Sequence, residues 1–251
     1  MKIISNFYDG KFIKSESTDK LSLFKPTTGE EYAHIPITTD KEFQSIIDKM
    51  KIAQASWANT PITKRSSILF KFKNLIEKNF DDIARIISEE HGKVFSDAKG
   101  SLQRGLEVVD FACGIPHLLK GNHSINVGTN VDSFDIKQPL GLCAGITPFN
   151  FPAMVPMWMF PISIACGNAF MLKPSEKVPQ CSLKLGELLN EAGLPENVLT
   201  IVNGDKSVVD KILQSPDISS VSFVGSTPVA KYIYTELSLI HISEPTRLST
   251  I

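Results

Sequence analysis

Apolar and polar positions along this chain change texture twice. In the first stretch, Lys20 to Phe24 and Glu31 to Ile37 read as extended runs around a Pro26–Gly29 turn. A helix is then predicted from Thr39, with Glu42 at capping-box spacing and Phe43, Ile46, Ile47, Met50 and Trp57 on one face. A second helix is predicted from Thr60–Pro61, a cap residue before a proline at the first helical position. Leu69, Phe72, Leu75 and Ile76 line it, and Phe80, Ile83, Ala84 and Ile87 carry a helical face on to a stop at Gly92. A third helix is predicted from about Ser96 to Leu118.

Between Asn122 and Gly141, Ser124–Val127 and Val131–Ile136 flank Gly128–Thr129–Asn130, the pattern of a hairpin. A two-stranded ribbon is marginal alone in water, so it must pack on something. From Leu142 onward strands and helices alternate. The predicted strands are Leu142–Thr147, Ala169–Leu172, Val198–Val202 and Val221–Val224, and the helices are Ala153–Cys166, Gln180–Ala192 and Ser207–Gln214. Short, almost wholly apolar strands separated by helices imply an α/β fold with a parallel sheet covered on both faces.

Such a sheet binds ligands beyond the carboxyl ends of its strands. Those ends carry Thr147-Pro-Phe-Asn-Phe-Pro152, Lys173-Pro-Ser-Glu176 and Gly225-Ser-Thr-Pro228. A Gly-Ser turn leading into a helix offers free N–H groups and a positive dipole end to a pyrophosphate. A lysine and a carboxylate at the next strand end can hold ribose hydroxyls, and the carboxylate disfavours a 2′-phosphate, which tilts the choice to NAD over NADP. Each cluster also has a plain structural reading. Ser175 could cap the next helix, and Asn150 could serve a turn. No G-x-G-x-x-G is present.

Composition narrows the partners. The 251 residues are 42% apolar and 21% charged with a net charge of −1, ordinary for a globular protein and unsuited to nucleic acid. The longest apolar stretch, Phe151 to Phe170, is interrupted by Pro152, Pro156 and Pro161, so it predicts a buried helix rather than a membrane span. Met1 to Lys14 has neither a secretory nor an organellar leader pattern, and a cytoplasmic location is expected, or the mitochondrial matrix if a leader is missing. Cys113, Cys143, Cys166 and Cys181 lie far apart in apolar settings without zinc-ligand spacing. Buried thiols, and no metal, are expected.

Taken together, Gly145-Ile-Thr-Pro-Phe-Asn-Phe-Pro, Asn168-Ala-Phe-Met-Leu-Lys-Pro-Ser-Glu, Ala192-Gly-Leu-Pro-Glu-Asn-Val-Leu and Ser222-Phe-Val-Gly-Ser-Thr resemble the aldehyde dehydrogenase superfamily in order and spacing. Phe149 before the Asn, Met154-Val-Pro-Met-Trp-Met-Phe-Pro, Glu90-His-Gly-Lys, Ala98-Lys-Gly and Arg104-Gly-Leu-Glu-Val-Val are most similar to its methylmalonate-semialdehyde dehydrogenase branch. The resemblance implies hydride transfer to NAD and acyl transfer to CoA, acting on methylmalonate or malonate semialdehyde. It gives Asn150 the part of oxyanion donor, Lys173 and Glu176 the adenosine ribose, and Gly225 and Ser226 the pyrophosphate turn. Ile146, Thr147, Phe149 and Phe223 would line the cofactor groove. The substrate's carboxylate calls for a buried arginine, and Arg104 is the candidate, with a solvated helix arginine as its plain structural reading.

On this reading, 1–121 and 142–236 build a Rossmann-type NAD-binding unit and 122–141 is an oligomerisation hairpin of a homo-oligomer. None of the four cysteines matches the family's nucleophile, so the chain is expected to be an inactive, truncated piece. From about Leu237 the sequence leaves the family pattern and resembles a translated sequencing adapter; 237–251 is therefore set aside, His241 included. A cysteine with an upstream Glu base beyond Glu236 would instead indicate a hydrolytic semialdehyde dehydrogenase. A true end there would indicate a non-catalytic NAD-binding or structural protein.

Overall fold

The computed structural model describes residues 2–241, with side chains as far as Leu237. Residues 242–251 and the side chain of His241, on which most of the expected foreign tail falls, lie outside the described residues. The chain opens with short strands β1 (Lys2–Ile3), β2 (Asn6–Tyr8) and β3 (Lys11–Ile13), followed by β4 (Lys20–Phe24) and β5 (Glu31–Pro36). Helices α1 (Asp40–Ala58), α2 (Ile62–Lys78), α3 (Phe80–His91), α4 (Phe95–Cys113) and α5 (Ile115–Leu118) come next. The hairpin is β6 (His123–Gly128) and β7 (Val131–Phe134). The alternating part is β8 (Leu142–Ile146), α6 (Met154–Ala165), β9 (Ala169–Lys173), α7 (Pro179–Glu191), β10 (Leu199–Ile201), α8 (Lys206–Gln214), β11 (Ile218–Phe223) and α9 (Thr227–His241).

The capping box at α1 is present in full: Thr39 accepts from the Glu42 N–H while the Glu42 side chain takes the Thr39 N–H. The start of α2 differs from expectation. Pro61 holds the cap position itself, and the Thr60 hydroxyl donates back to the Ser56 carbonyl at 3.3 Å instead of capping. The long helical stretches are also divided. Asn79 separates α2 from α3, and Gly114 separates α4 from α5. At both breaks the apolar stripe continues on either side, which is why periodicity alone reads through them.

The main sheet has strand order β11-β8-β9-β10-β2-β3. Its first four strands are parallel, as their sequence predicts, but β2 and β3 extend it antiparallel. The sheet is mixed. A buried polar lock docks the added strands: the Asn6 carboxamide oxygen accepts the Asn203 N–H at 2.9 Å, its amide donates to Thr38 Oγ1 at 3.0 Å, and the Thr38 hydroxyl donates to the Asn203 carbonyl at 2.7 Å. Strands β8 and β9 are buried along their whole length, with α6 and α7 contributing to one apolar layer and α1 and α8 to the other. The hairpin β6–β7 lies apart from this sheet.

Candidate functional site

Register brings the sequence-distant clusters together. Ile146 pairs with Lys173 on one side and with Phe223 on the other. Beyond the strands the backbone stays tied, with the Thr147 N–H donating to the Lys173 carbonyl and the Val224 N–H to the Ile146 carbonyl. Three strand ends therefore share one rim. On that rim lies a cleft of about 440 Å³ whose wall includes Ile146, Thr147, Phe149, Lys173 and Glu176. Val209, Pro228, Val229 and Tyr232 add an apolar side.

Lys173 is 4% exposed, and its ammonium meets the Glu176 carboxylate at 3.2 Å. Burial pulls the Lys173 pKa down, while Glu176 and, further off, Asp205 support the charge. A desolvated ammonium with a single partner among the described residues keeps N–H donors to spare for a hydroxyl. Gly225 and Ser226 stand before α9, where the Ser226 carbonyl accepts the Ala230 N–H at 2.9 Å. A Cβ on Gly225 would sit 2.3 Å from the far edge of the Phe223 ring, so a side chain there would have to displace that ring. The first turn of α9 reaches the cleft through Pro228 and Val229, whereas Phe223, Gly225 and Ser226 are not among the residues that line it. The buried ammonium, the carboxylate beside it and a glycine turn at a helix start fit a dinucleotide.

Asn150 opens into a second cleft, of about 490 Å³, shared with Arg104, His91, Lys93 and Asp97. Asn150 is exposed, and its side-chain amide makes no hydrogen bond among the described residues. Its carbonyl accepts the Lys93 ammonium at 2.8 Å. Arg104 shares this cleft but is exposed, not buried as its proposed role required. It lies on an outward-facing position of α4, whose inner face is taken by residues such as Leu102, Gly105 and Leu106.

Other sequence readings are corrected. Ser175 does not cap α7; its hydroxyl accepts the Lys177 N–H at 3.3 Å. The first free N–H groups of α7, from Gln180 and Cys181, go to the buried Glu90 carboxylate at 2.8 and 2.9 Å. Burial pushes the Glu90 pKa up to about 8 against those two donors. Sequence reasoning missed Glu90 because a glutamate in a last helical turn looks solvated. It also missed Lys206, which the strand-end rule finds beyond β10, and Tyr232, which lies on α9 beyond β11. Their groups join there: the Lys206 ammonium reaches the Tyr232 hydroxyl at 3.0 Å and Asp210 at 2.7 Å.

Three cysteines are buried and Cys166 is half-buried. Burial raises every one of the four thiols, Cys113 to about 11, so none is a ready thiolate. None lines either cleft. Among the described residues no group of His, Cys, Asp and Glu could hold a metal ion, and no helix is long and apolar enough to cross a membrane.

A strand-end cleft with a buried lysine–glutamate pair lies beside a free Asn carboxamide, and the aldehyde dehydrogenase family profile matches residues 12–244; the chain belongs to that family. It is 49% identical over 236 residues to a malonate-semialdehyde dehydrogenase of Pseudomonas aeruginosa, covering 94% of this chain and 47% of the relative. It is 47% identical to the mitochondrial, acylating methylmalonate-semialdehyde dehydrogenase of Arabidopsis thaliana, covering 92% of this chain and 38% of that one. A Sinorhizobium meliloti 1021 protein assigned as a methylmalonate-semialdehyde dehydrogenase, solved with NAD, superimposes with a TM-score of 0.93 at 46% identity, covering 96% of this chain and 49% of its own. The chain thus spans about half the length, or less, of the relatives it matches.

Proposed function

We propose that this chain forms the cofactor-binding half of an NAD-dependent, CoA-acylating dehydrogenase for malonate or methylmalonate semialdehyde. The observation that carries the reading is the Lys173–Glu176 pair, held in register beside Ile146 and below the first turn of α9. Lys173 donates to ribose hydroxyls while Glu176 accepts from them, and the same carboxylate repels a 2′-phosphate. Bound NAD would supply the hydride acceptor. In the adjoining cleft the Asn150 carboxamide is free to donate to an oxygen that becomes negative. Arg104, exposed on the same wall, offers a guanidinium to the carboxylate at the substrate's far end.

No thiol of the described residues lines that cleft, so the polypeptide as it stands turns over no semialdehyde. The intact enzyme is a homo-oligomer built through the β6–β7 arm and works in the cytoplasm, or in the mitochondrial matrix where a leader precedes it. CoA is its acyl acceptor.

Calorimetric titration of the 251-residue chain with NAD and NADP tests the reading. NAD is expected to bind at least tenfold tighter, and Glu176→Gln to narrow the gap. Equal affinity for both nucleotides, or none for NAD, would overturn it, as would turnover of malonate semialdehyde by this chain.

A further inference from the structure

The loop that carries Asn150 is gripped from outside its own strand. Helix α3 stops at His91 because Gly92 turns left-handed, with φ of 84°. The turn packs on Pro26 so closely that a Cβ on Gly92 would lie 3.0 Å from that ring, and the Ser88 hydroxyl fastens it by donating to the Lys93 carbonyl at 2.6 Å. From this fixed turn two side chains reach three consecutive residues of the loop. The His91 ring stacks on Phe149, with centroids 6.3 Å apart and planes 23° from parallel. The Lys93 ammonium donates to the Asn150 carbonyl at 2.8 Å and lies 4.5 Å from the centre of the Phe151 ring.

The choice of partner is informative. Lys93 makes no ion pair among the described residues, although Asp97 lies four residues on and acts on its charge from a distance. Instead it is spent on a neutral carbonyl. Fixing that carbonyl holds the plane of the peptide after Asn150, and so limits where the Asn150 backbone can carry its side chain. The carboxamide has no hydrogen bond of its own among the described residues, so its placement rests on the backbone of the loop. A donor that stabilises a transient negative oxygen must already be in place, and a displacement of about 1 Å is enough to lose most of its effect.

We infer that Lys93 is a positioning residue for the Asn150 carboxamide, orienting it through the 150–151 peptide while His91 braces Phe149. The functional value of this clamp rests on the reading of Asn150 given above; the clamp itself does not.

The test uses the chain labelled with ¹⁵N-asparagine. In Lys93→Met the Asn150 backbone and side-chain signals should both shift and gain fast motion, as the 150–151 peptide loses its donor. Lys93→Arg, which keeps the donor, should restore them. The buried Asn168 and Asn203 signals should stay put, and NAD affinity should change by less than about twofold. Unchanged Asn150 signals in Lys93→Met would overturn the inference. So would a joint shift of Asn168 and Asn203, which would assign Lys93 to the fold at large. Weaker malonate binding with Asn150 unmoved would overturn it too, because Lys93 would then act on the ligand directly. A wild-type chain that bound no NAD would sink the proposed function and leave the clamp standing.

Discussion

Strand β8 and the hairpin β6–β7 are neighbours in sequence, yet every residue of β8 is buried and every residue of the hairpin is exposed. The sheet strand is held by what covers it. Gly145 lies so close under Phe170 that a Cβ there would come within 2.6 Å of the ring, and Phe170 is 1% exposed. The hairpin is held by its own backbone and short polar side chains. Asn126 and Asn130 take left-handed conformations, the Asp132 carboxylate accepts the Asn126 N–H at 2.9 Å, and Asp135 accepts the Asn122 N–H at 2.7 Å. Ile125, Val127, Val131 and Phe134 meanwhile face solvent, an apolar surface that suits the proposed subunit contact. Burial decides where this chain stores its stability, and strand formation alone does not.

The most direct way to break that contrast is to remove one phenylalanine from each region. Phe170→Ala should cost about 3–5 kcal/mol, by lost burial and the cavity left behind. Phe134→Ala, on the arm, should change stability by less than about 0.5 kcal/mol. Urea unfolding followed by circular dichroism reads both. Similar losses would mean that the arm folds back on the sheet in solution.

A smaller effect comes from the one carboxylate buried against the start of α7. In the folded chain the Glu90 pKa lies near 8 against an ordinary 4.5, because burial outweighs the two N–H donors. Between these values the folded state holds a proton that the unfolded state has released. Stability therefore falls as pH rises through this window, by about 1.4 kcal/mol per unit and so about 2 kcal/mol from pH 6 to 7.5. Glu90→Gln cannot ionise and should remove that slope, which sharpens the contrast, since the solvated arm has no comparable buried group. Urea midpoints at the two pH values decide it, and parallel slopes in the two proteins would refute it.

Much of this architecture is legible in the sequence where pattern and position agree. The four apolar strands, the α1 capping box and the Lys173–Glu176 pair follow from local periodicity and the strand-end rule. The antiparallel strands β2 and β3 do not, because three-residue segments carry too little alternation, and the Asn6–Thr38–Asn203 lock joins residues far apart in the chain. Glu90 and Lys93 stayed hidden for a related reason. Each sits on or just beyond α3 and acts on another element, so its role exists only once the helices have packed. Arg104 marks a different limit: the sequence left it between a substrate-binding and a solvated helix arginine, and it is exposed on α4 beside the Asn150 cleft.

The joint between the two regions offers the finest test. Asn168, 6% exposed, accepts the Leu140 N–H at 2.7 Å and the Gly141 N–H at 3.0 Å on one oxygen, while its amide donates to the Ser163 carbonyl at 3.2 Å. A single side chain thus fastens the chain leaving the arm to the loop that starts β9. Asn168→Ala should cost about 1–2 kcal/mol, because two backbone donors lose their acceptor where water reaches only part of the gap. Hydrogen exchange should locate the damage. The Leu140 and Gly141 amides should exchange faster, while the Asn126 amide, tied within the arm to Asp132, keeps its rate. If the Asn126 amide also speeds up, the arm borrows its order from the sheet, and the contrast between a strand held by packing and a hairpin held by its own backbone fails.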